Sequence, residues 1–187
     1  MIVPLNVLEL FSGTHSVGKV CRERGWEVTS CDLQDADIID IMKWDYKKLP
    51  PHTYDVIWAS PPCTYFSTLQ FCHKTHAEIN ELIQTQGLPL LRRTEEIIDY
   101  FKPTYYFMEN PYTGSMKKYV DKPYYVVDYC QYCDWGYKKP TIIWTNKLGF
   151  IPKRCTHKKH EVLCGNVSKK NKYRIPPMLI TSLFDGI

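Results

Sequence analysis

Cys63 is the residue of this 187-residue chain best equipped for covalent chemistry. It stands in Ser60-Pro61-Pro62-Cys63-Thr64-Tyr65-Phe66-Ser67, directly after an apolar run. Two prolines stiffen a loop, and the loop then sets the next side chain against the neighbouring cleft. Cysteine is a strong nucleophile as its thiolate. Most cysteines are only small buried hydrophobes, and the rigid turn is what sets Cys63 apart. The second reactive group is Glu109 in Glu109-Asn110-Pro111. Burial beside aromatic residues would raise its pKa and let it donate or share a proton. Taken alone, Glu109 is equally a carboxylate at an exposed strand end.

A ligand-binding edge is suggested by Glu9-Leu10-Phe11-Ser12-Gly13-Thr14-His15-Ser16-Val17-Gly18. An apolar run passes through a glycine turn into a helical pattern. Gly13 permits close backbone approach, and the helix start offers free N–H groups. A tight turn without a ligand fits this element equally well. Asp32 follows about 20 residues later, a spacing suited to ribose hydroxyls. By itself it could be a helix cap or a surface acid. Asp40 has a spacing that could reach an adenine amino group, although a lone acid there reads as a loop residue. The three together describe a nucleoside edge better than any one does.

The elements that must position these groups alternate. Asn6–Phe11, Glu27–Asp32, Tyr54–Ala59 and Tyr105–Glu109 read as strands, with Tyr124–Tyr129 and Thr141–Thr145 as further candidates. Asn110-Pro111 is expected to end the fourth strand. Val17–Arg24 has helical spacing and stops at Gly25, and Leu88–Phe101 is helical up to Pro103. This order predicts an α/β fold with a mostly parallel sheet and helices on both faces. Ligands of such sheets bind beyond the carboxyl ends of the strands, where the residues above fall. Residues 64–87 are polar and read as a long loop with one short helix. No repeat or boundary divides the chain, so residues 1–187 are expected to form one domain.

Composition fits a folded, soluble chain: 44% hydrophobic and 24% charged. The 14 Tyr and 5 Trp serve mainly a core, with a few available to stack on bases. No run approaches the roughly 20 apolar residues of a membrane span, and Met1 to Leu10 lacks the pattern of a secretory signal. The eight cysteines therefore read as reduced thiols in an intracellular compartment. Charge is uneven. Residues 1–150 carry 16 Lys and Arg against 18 Asp and Glu, whereas residues 151–187 carry 8 against 2. The basic end is either a solvated tail or an edge that contacts phosphates.

LELFSGTHSVG, SPPCTYFS and MENP occur in the order and spacing of the cytosine-5 DNA methyltransferases, and the chain resembles that family over about residues 5–184. Gln131 to Trp144 resembles the family's basic motif before a late strand, and Arg174-Ile175-Pro176-Pro177-Met178-Leu179-Ile180 its closing motif. The short phage and large-DNA-virus versions are especially similar; for a viral chain the compartment would be the cytoplasm or a host nucleus. The resemblance implies a Rossmann-like fold that binds S-adenosylmethionine. It places Glu9, Phe11, Ser12, Gly13, Thr14, His15, Ser16, Asp32, Leu33, Asp40, Ile41 and Pro61 at that cofactor. Asp32 would hold the ribose and Asp40 the adenine amino group. Cys63 would attack carbon 6 of cytosine, and Glu109 would engage ring nitrogen 3. Carbon 5 would take the methyl group, and loss of its proton would expel Cys63.

Three departures from the family pattern stand out. His15 replaces a usual glycine. Lys138-Lys139-Pro140 replaces an arginine motif, which makes Lys138 and Lys139 the catalytic candidates there; lysine supplies charge without a bidentate fork. Where the family inserts a large target-recognition region, residues 146–172 form only a reduced basic insertion. DNA is the implied partner, and the same chemistry on RNA is compatible with the short insertion. Methyl transfer to an amino nitrogen is disfavoured, because those enzymes place an aromatic residue after Pro-Pro. A catalytically silent S-adenosylmethionine-binding module is the alternative of another class, and retention of Cys63 and Glu109 argues against it.

Within the insertion, Cys155-x-His157-x2-His160-x3-Cys164 offers four zinc-type donors. The spacing is tighter than that of usual fingers. Cys130-x2-Cys133 could instead join Cys155 and Cys164, or the region could be a basic loop with coincidental donors.

Overall fold

The computed structural model describes residues 3–157 and 159–187. Its strands are β1 (Asn6–Leu10), β2 (Glu27–Cys31), β3 (Val56–Ala59), β4 (Tyr105–Pro111), β5 (Tyr124–Asp128) and β6 (Pro140–Thr145). They form one sheet in the order β2-β1-β3-β4-β6-β5. The first four run parallel, β6 runs against β4, and β5 runs against β6. The helices are α1 (Ser16–Glu23), α2 (His76–Leu82), α3 (Leu88–Phe101), α4 (Lys169–Lys172) and α5 (Pro177–Leu183).

Successive strand side chains point to opposite faces, so near-continuous apolar strands build two cores. Val7, Val56, Trp58, Phe107 and Ile143 meet Val17, Val20 and Cys21 of α1 and Leu179, Ile180 and Leu183 of α5. Leu8, Leu10, Ile57, Met108 and Trp144 meet Leu91, Ile97, Ile98 and Phe101 of α3. Each such side chain contributes about 1.5–3 kcal/mol by leaving water. The expected mostly parallel sheet, covered on both faces, is what forms.

Two local expectations are corrected. Residues 64–87 do hold one short helix, α2, but the rest is ordered turns and not a long loop. Turns at Cys63–Phe66 and Thr68–Cys72 lead into α2, and a π-turn over Ile83–Gly87 joins α2 to α3. Thr75 starts α2 with a capping box: its hydroxyl accepts from the Glu78 N–H, and the Glu78 carboxylate accepts from the Thr75 N–H at 2.7 Å. Gly87 does not break the rod. A Cβ there would lie 2.9 Å from Phe66 Cζ and 3.0 Å from Tyr65 Cβ, so glycine lets the turn after Cys63 pack closely. Second, β4 does not stop before Asn110-Pro111 but runs through it. β6 supplies ladder partners, Ile142 for Asn110 and Thr141 for Pro111, and proline is tolerated at a strand end. Among the described residues no helix is long and apolar enough to cross a membrane.

Candidate active site

β3 delivers Ser60-Pro61-Pro62 to the carboxyl edge of the sheet, and Cys63 opens the turn that follows. The turn is fastened to the end of β4 at two points. Asn110 Nδ2 donates to the Pro61 carbonyl at 2.8 Å. The Ser115 N–H donates to the Phe66 carbonyl at 2.8 Å. Phe66 is buried, so the turn has an apolar anchor as well.

Glu109 is buried, and Oε1 takes both of its close polar partners. It accepts from the Tyr129 hydroxyl at 3.0 Å and lies 3.5 Å from Lys139 Nζ. Lys139 Nζ also sits 4.6 Å from the Tyr129 ring centre and donates to the Lys172 carbonyl. Burial and then the charge of Glu109 hold the Tyr129 hydroxyl well above the usual tyrosine range, so it acts as a donor. The Cys63 thiol is raised by burial and then by the charge of Glu109, and Lys139 pulls it partly back. Thiol, carboxylate and ammonium thus share one electrostatic pocket. Cys63 is half-buried and does not join the hydrophobic interior.

The nucleoside edge is built at the ends of β1 and β2. The N–H groups of Phe11 and Ser12 both donate to the Cys31 carbonyl, and the Gly13 N–H donates to Asp32 Oδ2 at 2.9 Å. Phe11 and His15 have φ of 60° and 54°, alongside Gly13 at 47°. Left-handed backbone at non-glycine residues costs of order 1 kcal/mol and gathers at ligand sites. Ser12 Oγ and His15 Nδ1 are buried with no protein partner. Buried polar atoms need partners, and these two suit a polar ligand in the loop. Thr14 and Ser16 share a hydroxyl contact at 2.8 Å, and Ser16 Oγ accepts from the Ile175 N–H, which ties the closing motif to this loop.

Several expected ligand-edge residues have other tasks here. Glu9 lies beneath the loop, and its two oxygens accept from the Val17 and Gly18 N–H groups at the start of α1. Burial pushes its pKa up to about 7. The Ile41 side chain belongs to the core, while Leu33 is exposed. Asp40 accepts from the Met42 N–H and pairs with Lys43 at 3.5 Å. Pro61 contributes its carbonyl to the Asn110 latch.

The two lysines part company. Only Lys139 reaches Glu109; Lys138 Nζ lies 4.0 Å from Asp128 Oδ1. Asp128 is fully buried, and its Oδ2 accepts from Arg154 Nε and the Cys155 N–H, each at 2.8 Å. That anchor explains the arrangement of the metal-type donors. Cys130, Cys155 and His160 lie within 4.8 Å of one another, whereas His157 and Cys164 are not in the group. With its N–H held at the end of β5, Cys155 meets the turn that carries Cys130. Cys133 instead donates to the Tyr129 carbonyl. The set is a hybrid of the two expected arrangements.

Tyr129 and Asn110 are the pocket residues that site selection from the sequence missed. Asn110 lay in plain view beside Glu109. Tyr129 carries no local signal, because its role depends on which strand β5 follows in the sheet.

A sheet of this order, with a strained loop and unpartnered polar atoms after β1 and a thiol and carboxylate at the ends of β3 and β4, is a Rossmann-like arrangement with its candidate site at the carboxyl edge. Solved structures share the fold at 16% identity. One is a methyltransferase from Entamoeba histolytica, EhMeth, with a TM-score of 0.53 over 88% of this chain and 60% of that one. Another is described as a DNA modification methyltransferase encoded within an E. coli prophage, with a TM-score of 0.51 over 80% of this chain. The chain spans about half the length of that protein, 51%. The family model "C-5 cytosine-specific DNA methylase" matches residues 26–114, which include Cys63 and Glu109. The "Probable DNA (cytosine-5)-methyltransferase" of Frog virus 3 (isolate Goorha) is 43% identical over 212 residues, covering 97% of this chain and 99% of that protein. The chain belongs to the cytosine-5 DNA methyltransferase family.

Proposed function

We propose that this chain methylates carbon 5 of cytosine in DNA, with Cys63 as nucleophile and Glu109 and Lys139 as the groups that steady the ring. The supporting observation is geometric: Asn110, next to Glu109, donates to the Pro61 carbonyl two residues before Cys63, and Lys139 Nζ lies 3.5 Å from Glu109. The Cys63 thiolate attacks carbon 6 and forms a sulfur–carbon bond. In this step Glu109 acts in its protonated form: its O–H donates to ring nitrogen 3, where negative charge would otherwise build. Tyr129 and Lys139 fix one oxygen of Glu109, and Oε2 takes part in neither contact. When bound, S-adenosylmethionine supplies the methyl group that carbon 5 takes up once the adduct has made that carbon electron-rich. Transfer of the carbon-5 proton to a solvent water restores the ring double bond and returns the electron pair of the sulfur–carbon bond to Cys63.

Phe11 to Ser16 with Asp32 would hold the cofactor, and the unpartnered Ser12 Oγ and His15 Nδ1 fit that reading. Asp40 is kept as the adenine contact and Pro61 as a cofactor contact. Carbon 6 is out of reach in a stacked duplex, so the target base leaves the helix or begins unpaired. Residues 146–172, within a single domain, are proposed as the reduced target-contacting insertion, with the basic end supplying phosphate contacts. Zinc enters this proposal as a structural ion only.

The test is incubation with labelled S-adenosylmethionine and either DNA or RNA, followed by nucleoside mass spectrometry. 5-Methylcytosine from DNA is expected; product only from RNA would move the substrate class. Cys63→Ser is expected to abolish transfer with cofactor affinity nearly unchanged. DNA carrying 5-fluorocytosine, which has no carbon-5 proton to lose, is expected to trap a covalent complex on Cys63. Active enzyme without such a complex would refute the covalent route.

A further inference from the structure

We propose that Cys130, Cys155 and His160 are the protein ligands of a structural zinc site that clips the basic segment to the turn bearing Tyr129. The donors come from two separate stretches of chain, yet all lie within 4.8 Å of one another. Cys155 Sγ is 3.4 Å from His160 Nε2. Zinc–sulfur and zinc–nitrogen bonds at a tetrahedral angle place sulfur and nitrogen about 3.6 Å apart, so this pair already spans nearly the edge of such a tetrahedron. Two thiolates balance the charge of one zinc ion, and a thiolate–imidazole set favours zinc over the hard cations. The fourth position falls to water or to His157, whose ring centre is 6.1 Å from that of His160.

The surroundings call for such a clip. The described residues of 146–172 form no strand, and Leu148, Ile151 and Leu163 are exposed, so the segment builds almost no core. Its attachments near this point are Asp128, which holds Arg154 and the Cys155 N–H, and the Tyr132 hydroxyl, which accepts from the Lys153 N–H. A metal ion supplies folding free energy where apolar burial does not. None of the three donors has a part in methyl transfer. Cys130 follows Tyr129, whose hydroxyl holds Glu109, so the ion would join the basic segment to the residue that steadies the catalytic carboxylate.

The experiment measures metal on the full chain, independently of activity. Protein purified without chelators and equilibrated with zinc is expected to retain one ion per chain. Replacement by cobalt is expected to give the visible bands of a tetrahedral site and a near-ultraviolet thiolate charge-transfer band. Cys155→Ser and His160→Ala should each weaken zinc binding by at least about tenfold, while Cys133→Ser and Cys164→Ser retain it. Circular dichroism identifies any variant that fails to fold, and the cobalt spectrum of the unaltered chain tests the site without variants. Folded protein that binds no zinc, a cobalt spectrum without thiolate character, or loss of the ion in Cys164→Ser would overturn the proposal. So would a Cys130–Cys155 disulfide in protein equilibrated with zinc.

Discussion

The side-chain amide of Asn110 donates to the carbonyl of Pro61 across 2.8 Å, and this buried bond latches the nucleophile's loop to the strand that carries Glu109. Asn110→Ala would leave that carbonyl unpaired, at a cost of about 1–3 kcal/mol. The loop would no longer hold Cys63 in register with Glu109. We expect kcat to fall about 10- to 100-fold while cofactor affinity changes little. Asn110→Asp cannot donate at that atom and should not rescue. Single-turnover methylation and equilibrium cofactor binding measure the two effects, and an unchanged kcat would show that the latch is dispensable.

Lys139 and Lys138 are adjacent in sequence and differ in consequence. Lys139 alone approaches Glu109, and its charge pulls the Cys63 thiol downward against burial. The reactive form is the thiolate, so removing Lys139 raises the Cys63 pKa. The rising limb of kcat/KM against pH should then move to higher pH in Lys139→Gln, with a fall of about tenfold near neutrality. Lys138→Gln loses only a long pairing with Asp128 and should stay within about twofold. Equal losses, or an unmoved pH limb, would contradict this division.

Tyr129→Phe removes one donor from Glu109 and little volume. Hydrogen bonds to charged groups are worth about 1.5–3 kcal/mol, or roughly tenfold or more in rate. The effect should fall on kcat, with KM for DNA nearly constant, because Tyr129 is fully buried. A change in KM alone would place Tyr129 in DNA binding instead.

Glu9 makes stability depend on pH. Its folded pKa is about 7, against an ordinary value of 4.5. At pH below 4.5 the carboxyl is protonated in both states. From there to about pH 7 the unfolded chain releases the proton while the folded chain keeps it. Glu9's contribution to stability therefore falls through this window and is level above it. Glu9→Gln does not titrate. The stability of the unaltered chain relative to this variant should drop by about 3 kcal/mol between roughly pH 4.5 and 7.5. Urea unfolding at both ends of that range is the measurement, and a constant difference would rule out a buried proton on Glu9.

Much of the site was legible because parallel strands bring their carboxyl ends to one edge. Cys63, Glu109, Gly13 and Asp32 could be placed there from apolar runs and turn residues alone. The short helix read within residues 64–87 is α2, and Thr75 and Glu78 spell its capping box, but the polarity of the stretch hid the ordered turns around it. The partners of Glu109 were not legible in the same way. Tyr129 and Lys139 gain their roles from the order β4-β6-β5, which is settled by tertiary pairing and not by local periodicity. The grouping of Cys130 with Cys155 likewise depends on Asp128, a buried acid whose contacts lie 26 and 27 residues away.

The reversed direction of β6 has a geometric consequence. A six-residue strand is about 20 Å long, so a parallel β6 would have put the residue before its first position at the opposite rim of the sheet. Running backwards, it sets Lys139 beside the outgoing end of β4, and β5, reversed again, brings Tyr129 to the same rim. Two turnabouts in the last third of the chain thus place a cation and a phenol against one carboxylate oxygen.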